Sequence, residues 1–117
     1  MEEKTLEMTM LFDFYGELLT DRQKDCFDLY YNDDLSLGEI AEEQGISRQG
    51  VRDNLVRAEH ALREHEAKTG LLRRFEELQQ ETAQLETEAK KLLHLLPEGE
   101  AKTLAQTLLQ GIGNLKG

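Results

Sequence analysis

The run SLGEIAEEQGISRQGVR, residues 36–52, holds two helix starts and one helix stop in a very short space. Ser36 followed three positions later by Glu39 is a capping box, in which each residue satisfies a backbone N–H at the helix start. Leu37, Ile40 and Ala41 then recur at helical spacing. Gly45 falls where the chain must turn left-handed, a conformation that costs glycine almost nothing. Ile46 follows as an apolar plug. Ser47 caps a second helix, and Val51 and Leu55 give it a buried stripe. Small Ala41 lets the two helices approach closely. The pattern predicts a helix-turn-helix whose second helix is shaped to lie in a DNA major groove.

The preceding run, LTDRQKDCFDLYY from residue 19, adds a third helix. Thr20 caps it and Gln23 completes the box. Cys26, Phe27, Leu29, Tyr30 and Tyr31 supply a wide apolar face, and an acidic turn at 32–34 separates this helix from Ser36. Over about residues 19–62 this order resembles the region-4 segment of bacterial primary sigma factors. That resemblance implies a tri-helical unit that reads promoter DNA through its second helix-turn-helix helix. The chain departs from the pattern at Gly50, where a charged residue is usual, and at Asp53 and Asn54.

A closer resemblance spans most of the chain. LFDFYGELLT from residue 11, LYYNDDLSLGEIAEE from residue 29 and SRQGVRDNL from residue 47 look like the YlxM family. These are small helix-turn-helix proteins of Gram-positive bacteria, with genes typically beside those of the signal recognition particle GTPases. The resemblance implies a regulatory or accessory role in the signal recognition particle pathway, and particle proteins as partners. That role rests on gene neighbourhood and not on chemistry visible in the residues.

Of the 117 residues 38% are apolar and 32% charged, which fits a soluble helical protein. One proline and no tryptophan suit long helices. No apolar run approaches the roughly 18 residues of a membrane span. The acidic N-terminus lacks a signal-peptide layout, so a cytoplasmic location is expected. The single Cys26 allows no disulfide framework and reads as core filler beside Phe27 and Leu29.

The net charge of −10 argues against general affinity for nucleic acid, which depends on neutralising phosphates. Its distribution is uneven. Residues 1–34 carry ten acids against three bases, whereas between Ser47 and Arg63 the four bases Arg48, Arg52, Arg57 and Arg63 outnumber Asp53 and Glu59. The one basic spot is therefore the second helix of the helix-turn-helix.

The expected class is all-α. Helices are predicted over about residues 4–18, 21–31, 37–44 and 48–69. Met8, Met10, Leu11, Phe12, Phe14 and Tyr15 make the first helix apolar nearly all round, so burial on several sides is expected. The predicted division is 1–68, a helix-turn-helix domain with an N-terminal packing helix, and 69–117, a helical arm. In the arm, Leu71, Phe75, Leu78, Thr82, Leu85, Ala89, Leu92 and Leu96 form a heptad seam. The seam requires a partner helix. It packs on the first part, against Val51, Leu55, Ala58, Leu62 and His65, or on a second subunit, or both hold, with the arm packed inward and the apolar first helix forming the subunit interface; a homodimer is the expected state. Pro97 ends the seam helix, a last helix follows over 98–109, and Gly111 and Gly113 are expected to stop it and leave a flexible tail.

The candidate DNA-binding residues are Ser47, Arg48, Gln49, Arg52, Asp53 and Arg63; the sigma resemblance implies that Arg48, Gln49, Arg52 and Asp53 face base edges and phosphates. Arginine pairs with guanine and glutamine with adenine in bidentate fashion, and a helix N-terminus favours phosphate. On a 3.6-residue helix Arg48, Arg52 and Arg63 share a stripe at roughly 0°, 40° and 60°. Glu59, at roughly 20°, is expected to repel phosphate from it. Arg57 points to the far side, where pairing with an acid is expected. His60, Glu64 and His65 lack zinc-ligand spacing, and no catalytic set, phosphate loop or cofactor motif is present, so no enzyme, metal or cofactor is expected. Two functions remain open: a DNA-binding regulator, and an adaptor of the signal recognition particle that does not bind DNA.

Overall fold

The computed structural model describes residues 5–116. In order they form α1 (Leu6–Tyr15), a 3-10 turn (Gly16–Leu18), α2 (Asp21–Tyr31), α3 (Leu37–Gln44), α4 (Arg48–Thr69), α5 (Leu71–Leu95) and α6 (Glu100–Leu115). Among the described residues there is no strand, and no helix is long and apolar enough to cross a membrane. The protein is all-α, with a helix-turn-helix and a helical C-terminal arm.

Local chemistry sets the helix starts. Thr5, Thr20, Ser36 and Ser47 each accept a hydrogen bond from the backbone N–H three residues on. Full capping boxes form at Thr20–Gln23 and Ser36–Glu39. Each cap contributes about 1 kcal/mol. Gly45, at φ 67°, ends α3, and the N–H groups of Gly45 and Ile46 both donate to the Ala41 carbonyl.

The chain divides into two compact units, Met1–Leu72 and Arg73–Gly117. In the first, α4 is the common wall against which α1, α2 and α3 pack. Val51, Leu55, Ala58 and Leu62 are fully buried there, among Met8, Leu11, Cys26, Phe27 and Ile40. That face of α4 is thus filled from its own unit. Phe27 stacks on Phe12, with ring centroids 4.4 Å apart, and on Tyr31 at 4.1 Å. Burying such a ring is worth about 1.5–3 kcal/mol. Arg22 Nη1 donates to the Gln44 carbonyl at 2.9 Å and ties α2 to the end of α3.

Three expectations need correction. The first helix ends earlier than predicted, its last turn tightening to 3-10 at Gly16, while the predicted start at residue 4 lies outside the described residues. Nor is α1 buried all round, since Met8, Leu11 and Tyr15 turn inward while Leu6 and Phe14 remain exposed. Last, α6 does not stop at Gly111 but runs through both glycines to Leu115. Each glycine costs a helix about 1 kcal/mol, too little to end one whose flanking turns are already in register.

The turn between α4 and α5 is fastened by Glu66. Its Oε1 accepts from the Tyr15 hydroxyl at 2.6 Å and from the Leu72 N–H at 3.0 Å. One carboxylate therefore joins α1 to the first turn of α5, whose N–H groups have no carbonyl of their own helix to bond.

Candidate nucleic-acid interface

The first turn and a half of α4 is placed by burial on one side and capping at its end. Ser47 Oγ accepts from the Gly50 N–H at 2.9 Å. Val51 and Leu55 are fully buried and hold the helix against α2 and α3. The 100° step then turns Arg48, Gln49, Arg52 and Asp53 to solvent, and all four are exposed, as is Ser47.

Arg48 and Arg52 make no hydrogen bond or ion pair with any described residue. The Arg48 guanidinium lies over the first turn of α3, where a Cβ added at Gly38 would stand 3.1 Å from Nε and Nη2. Gly38 thus leaves the space that this guanidinium occupies. Gln49 Nε2 donates to Asp53 Oδ1 at 2.9 Å. This bond joins two side chains on neighbouring turns and pre-orients both. Asn54 Nδ2 turns inward to the Gly50 carbonyl at 2.8 Å. The Glu39 carboxyl is held below its usual range, chiefly by the backbone N–H of Ser36 and then by its hydroxyl. It therefore stays charged at the start of α3.

The other members of the predicted stripe lie elsewhere. Arg63 stands about 22 Å further along α4, with Nη1 4.0 Å from Glu7 Oε1 of α1. Glu59 does not face a ligand as expected: it is only 4% exposed and accepts from the Tyr31 hydroxyl. The helical wheel placed its angle correctly but could not show that α2 covers that angle. Arg57 makes no ion pair with any described residue, contrary to expectation; Asp53, one turn before it, accepts from Gln49 instead. His60 Nε2 lies 3.5 Å from Glu64 Oε2, and no group of metal-ligating side chains occurs among the described residues. The sequence reading missed Gly38 as part of the site. Its signal was a glycine inside a helix with neither a turn nor a positive φ to require it.

Two unpaired guanidiniums, a glutamine and a carboxylate at the start of one helix suit the edges and phosphates of a groove about 12 Å wide. Exposed Glu42 and Glu43 on α3 limit charge-driven binding. Comparison with known proteins bears on the family alone. Residues 2–98 match a family model described as "Putative helix-turn-helix protein, YlxM / p13 like". The chain belongs to the YlxM / p13-like family. A UPF0122 protein of Listeria innocua is 47% identical over 106 residues, covering 91% of this chain and 96% of the relative. One from Listeria monocytogenes is 46% identical over the same length. A Bacillus cereus relative is 55% identical over 85 residues, 73% of this chain and 77% of its own. For this YlxM-like chain the match includes the whole helix-turn-helix, from the α2 cap to the end of α4.

Proposed function

We propose that the protein is a DNA-binding regulator that seats the start of α4 in a major groove. Arg48 and Arg52 contact bases or phosphates, Ser47 and the α4 N-terminus meet a phosphate, and the Gln49–Asp53 pair faces base edges. Arg63, engaged with Glu7, contributes only if that ion pair opens. In this reading the protein works in the cytoplasm, as a homodimer, and catalyses no reaction. The observation that carries it is the pair of exposed, unpartnered guanidiniums on the capped start of the second helix-turn-helix helix.

So few charges imply weak, salt-sensitive attraction to random DNA. Two phosphate contacts per copy give a log–log salt slope of about −2, doubled for a dimer. Selection of bound sequences from a random pool, followed by titration, tests the proposal. Arg48→Ala is expected to weaken specific binding by about 1–3 kcal/mol, while Arg57→Ala, on the other side of α4, leaves it nearly unchanged. Equal losses for the two variants, or a pool with no enriched sequence, would reject the groove geometry.

The second reading is an adaptor of the signal recognition particle, in which the helix-turn-helix is a scaffold. It is supported by the resemblance to the YlxM family and by the net charge of −10, which suits a basic protein surface better than phosphate. Particle proteins retained from nuclease-treated lysate, together with full pathway function in an Arg48→Ala, Arg52→Ala double variant, would favour it over DNA binding.

A further inference from the structure

The second unit is a hairpin of α5 and α6 with almost no interior. Among its described residues Ala105 is the one buried hydrophobic side chain. Chains near about 40 residues begin to need disulfides, metals or oligomerisation to be stable. The single cysteine lies in the other unit, and no metal-ligating group occurs among the described residues.

The helical seam of α5 is only half used. Thr82, Ala89 and Leu96 are partly covered, whereas Leu78, Leu85 and Leu92 are exposed. On α6 the same split occurs: Ala105, Leu109 and Ile112 are covered, and Leu104, Leu108 and Leu115 are exposed. These six leucines are 47–74% exposed. Leu115 shares a hollow with Phe75, Leu78, Gln79 and Thr82, and Lys116 Nζ lies 3.5 Å from Glu86 Oε1. The helices are therefore antiparallel, and a rise of about 1.5 Å per residue sets Leu108 near the level of Leu85 and Leu104 near that of Leu92. At about 100° per residue the exposed row is turned roughly 40° from the covered residues on α5 and roughly 90° on α6, in opposite senses viewed from one end. Both rows consequently open on the same side of the hairpin.

We propose that this leucine face docks on the same face of a second copy, closing an antiparallel four-helix bundle in which α5 lies on α6 of the partner. The inference deepens the homodimer named above by giving it a surface; it does not rest on DNA binding. Size is the first argument. Twelve half-exposed leucines remove on the order of 1,100 Å² from water, beside the roughly 1,000 Å² that a specific interface needs. Self-complementarity is the second, since the three levels of leucines on α5 match the three on α6 when one copy is rotated onto the other. Charge is the third and selects the arrangement. Packing α5 antiparallel on α5 of the partner would oppose Glu81 to the partner's Glu88, and the reverse. Packing α5 on α6 instead brings Glu81 and Glu88 beside the partner's uncharged Asn114 and Thr107.

Light scattering of the full chain, without DNA, is the test. Dimer mass at micromolar concentration is expected, halving in Leu85→Glu and in Leu108→Glu. Monomer mass for the natural sequence, as when the first unit covers this face within one chain, overturns the proposal, and so does dimer mass retained in both variants. Because a glutamate could unfold the hairpin, cross-linking provides a second measurement. Chains carrying Leu85→Cys are mixed with chains carrying Leu108→Cys and treated with a short bis-maleimide; buried Cys26 does not compete. Mixed adducts in large excess support the bundle, and adducts mainly between two Leu85→Cys chains overturn it.

Discussion

Arg48 lays its guanidinium against Gly38, where an added Cβ would stand 3.1 Å from Nε and Nη2. Two helices of the helix-turn-helix thus share one small volume: α3 gives up a side chain and α4 fills the space. Glycine in a helix costs about 1 kcal/mol relative to alanine, so Gly38→Ala is expected to raise stability by up to that amount, since only the flexible end of Arg48 must yield. Displacement of Arg48 is expected to weaken specific DNA binding at the same time. A denaturant melt and a DNA titration on one preparation check both; higher stability with unchanged affinity would show that Arg48 does not act from this position.

Tyr31 donates its phenol hydrogen to the buried Glu59 carboxylate, joining α2 to α4 in the core. Removing a donor from a buried carboxylate costs about 1–3 kcal/mol. Tyr31→Phe is expected to lose that much, and the thermal midpoint falls by roughly 4–8 °C per kcal/mol in a domain of this size. Tyr30→Phe, at a half-buried neighbouring position, serves as the comparison and is expected to lose less.

Glycines at unlike backbone positions are expected to respond oppositely to alanine. Gly111 and Gly113 lie within α6 with nothing within 4 Å of an added Cβ. Alanine there is expected to stabilise the helix by up to about 1 kcal/mol each. Gly45 has φ +67°, where a side chain is strained by roughly 1–2 kcal/mol. Gly45→Ala is therefore expected to lower the denaturation midpoint, and Gly111→Ala and Gly113→Ala to raise helicity on heating.

The start of α3 should carry an acid sensitivity. Glu39 has its carboxyl lowered by the Ser36 backbone N–H and then its hydroxyl, so folding favours the charged form. A lowered carboxyl contributes stability that is present above its unfolded pKa and is lost as pH falls through its folded pKa. Ser36→Ala removes a cap worth about 1 kcal/mol at neutral pH. The difference between Ser36→Ala and the natural sequence is expected to shrink as pH falls below the ordinary glutamate range. A difference that stays constant down to pH about 3 would rule out this coupling.

Burial pushes the Cys26 thiol up, with Arg22 acting weakly in the opposite direction. The thiolate is the reactive form, so a buried neutral thiol reacts slowly. Cys26 is expected to resist a thiol reagent in the folded protein and to react fully in denaturant. Fast labelling under native conditions would show that α2 opens locally.

The helices of the first unit were legible because their signals are local. Ser36, Gly45 and Ser47 mark the helix-turn-helix whatever surrounds them, and the bounds of α2, α3 and α4 agree with the caps that predict them. Local periodicity also sufficed to turn Arg48, Gln49, Arg52 and Asp53 outward, since Val51 and Leu55 must turn inward. What tertiary structure decided depends on residues far apart in the chain. Glu59 shares its angle with the arginines, yet Tyr31, 28 positions earlier, makes it a core residue. Arg63 shares the stripe, yet Glu7 of α1 lies beside it. The glycines of α6 look like a stop, but intact turns on both sides carry the helix through. A one-dimensional period fixes the angle at which a side chain leaves its helix; only packing decides whether that angle meets water, an acid or a neighbouring helix.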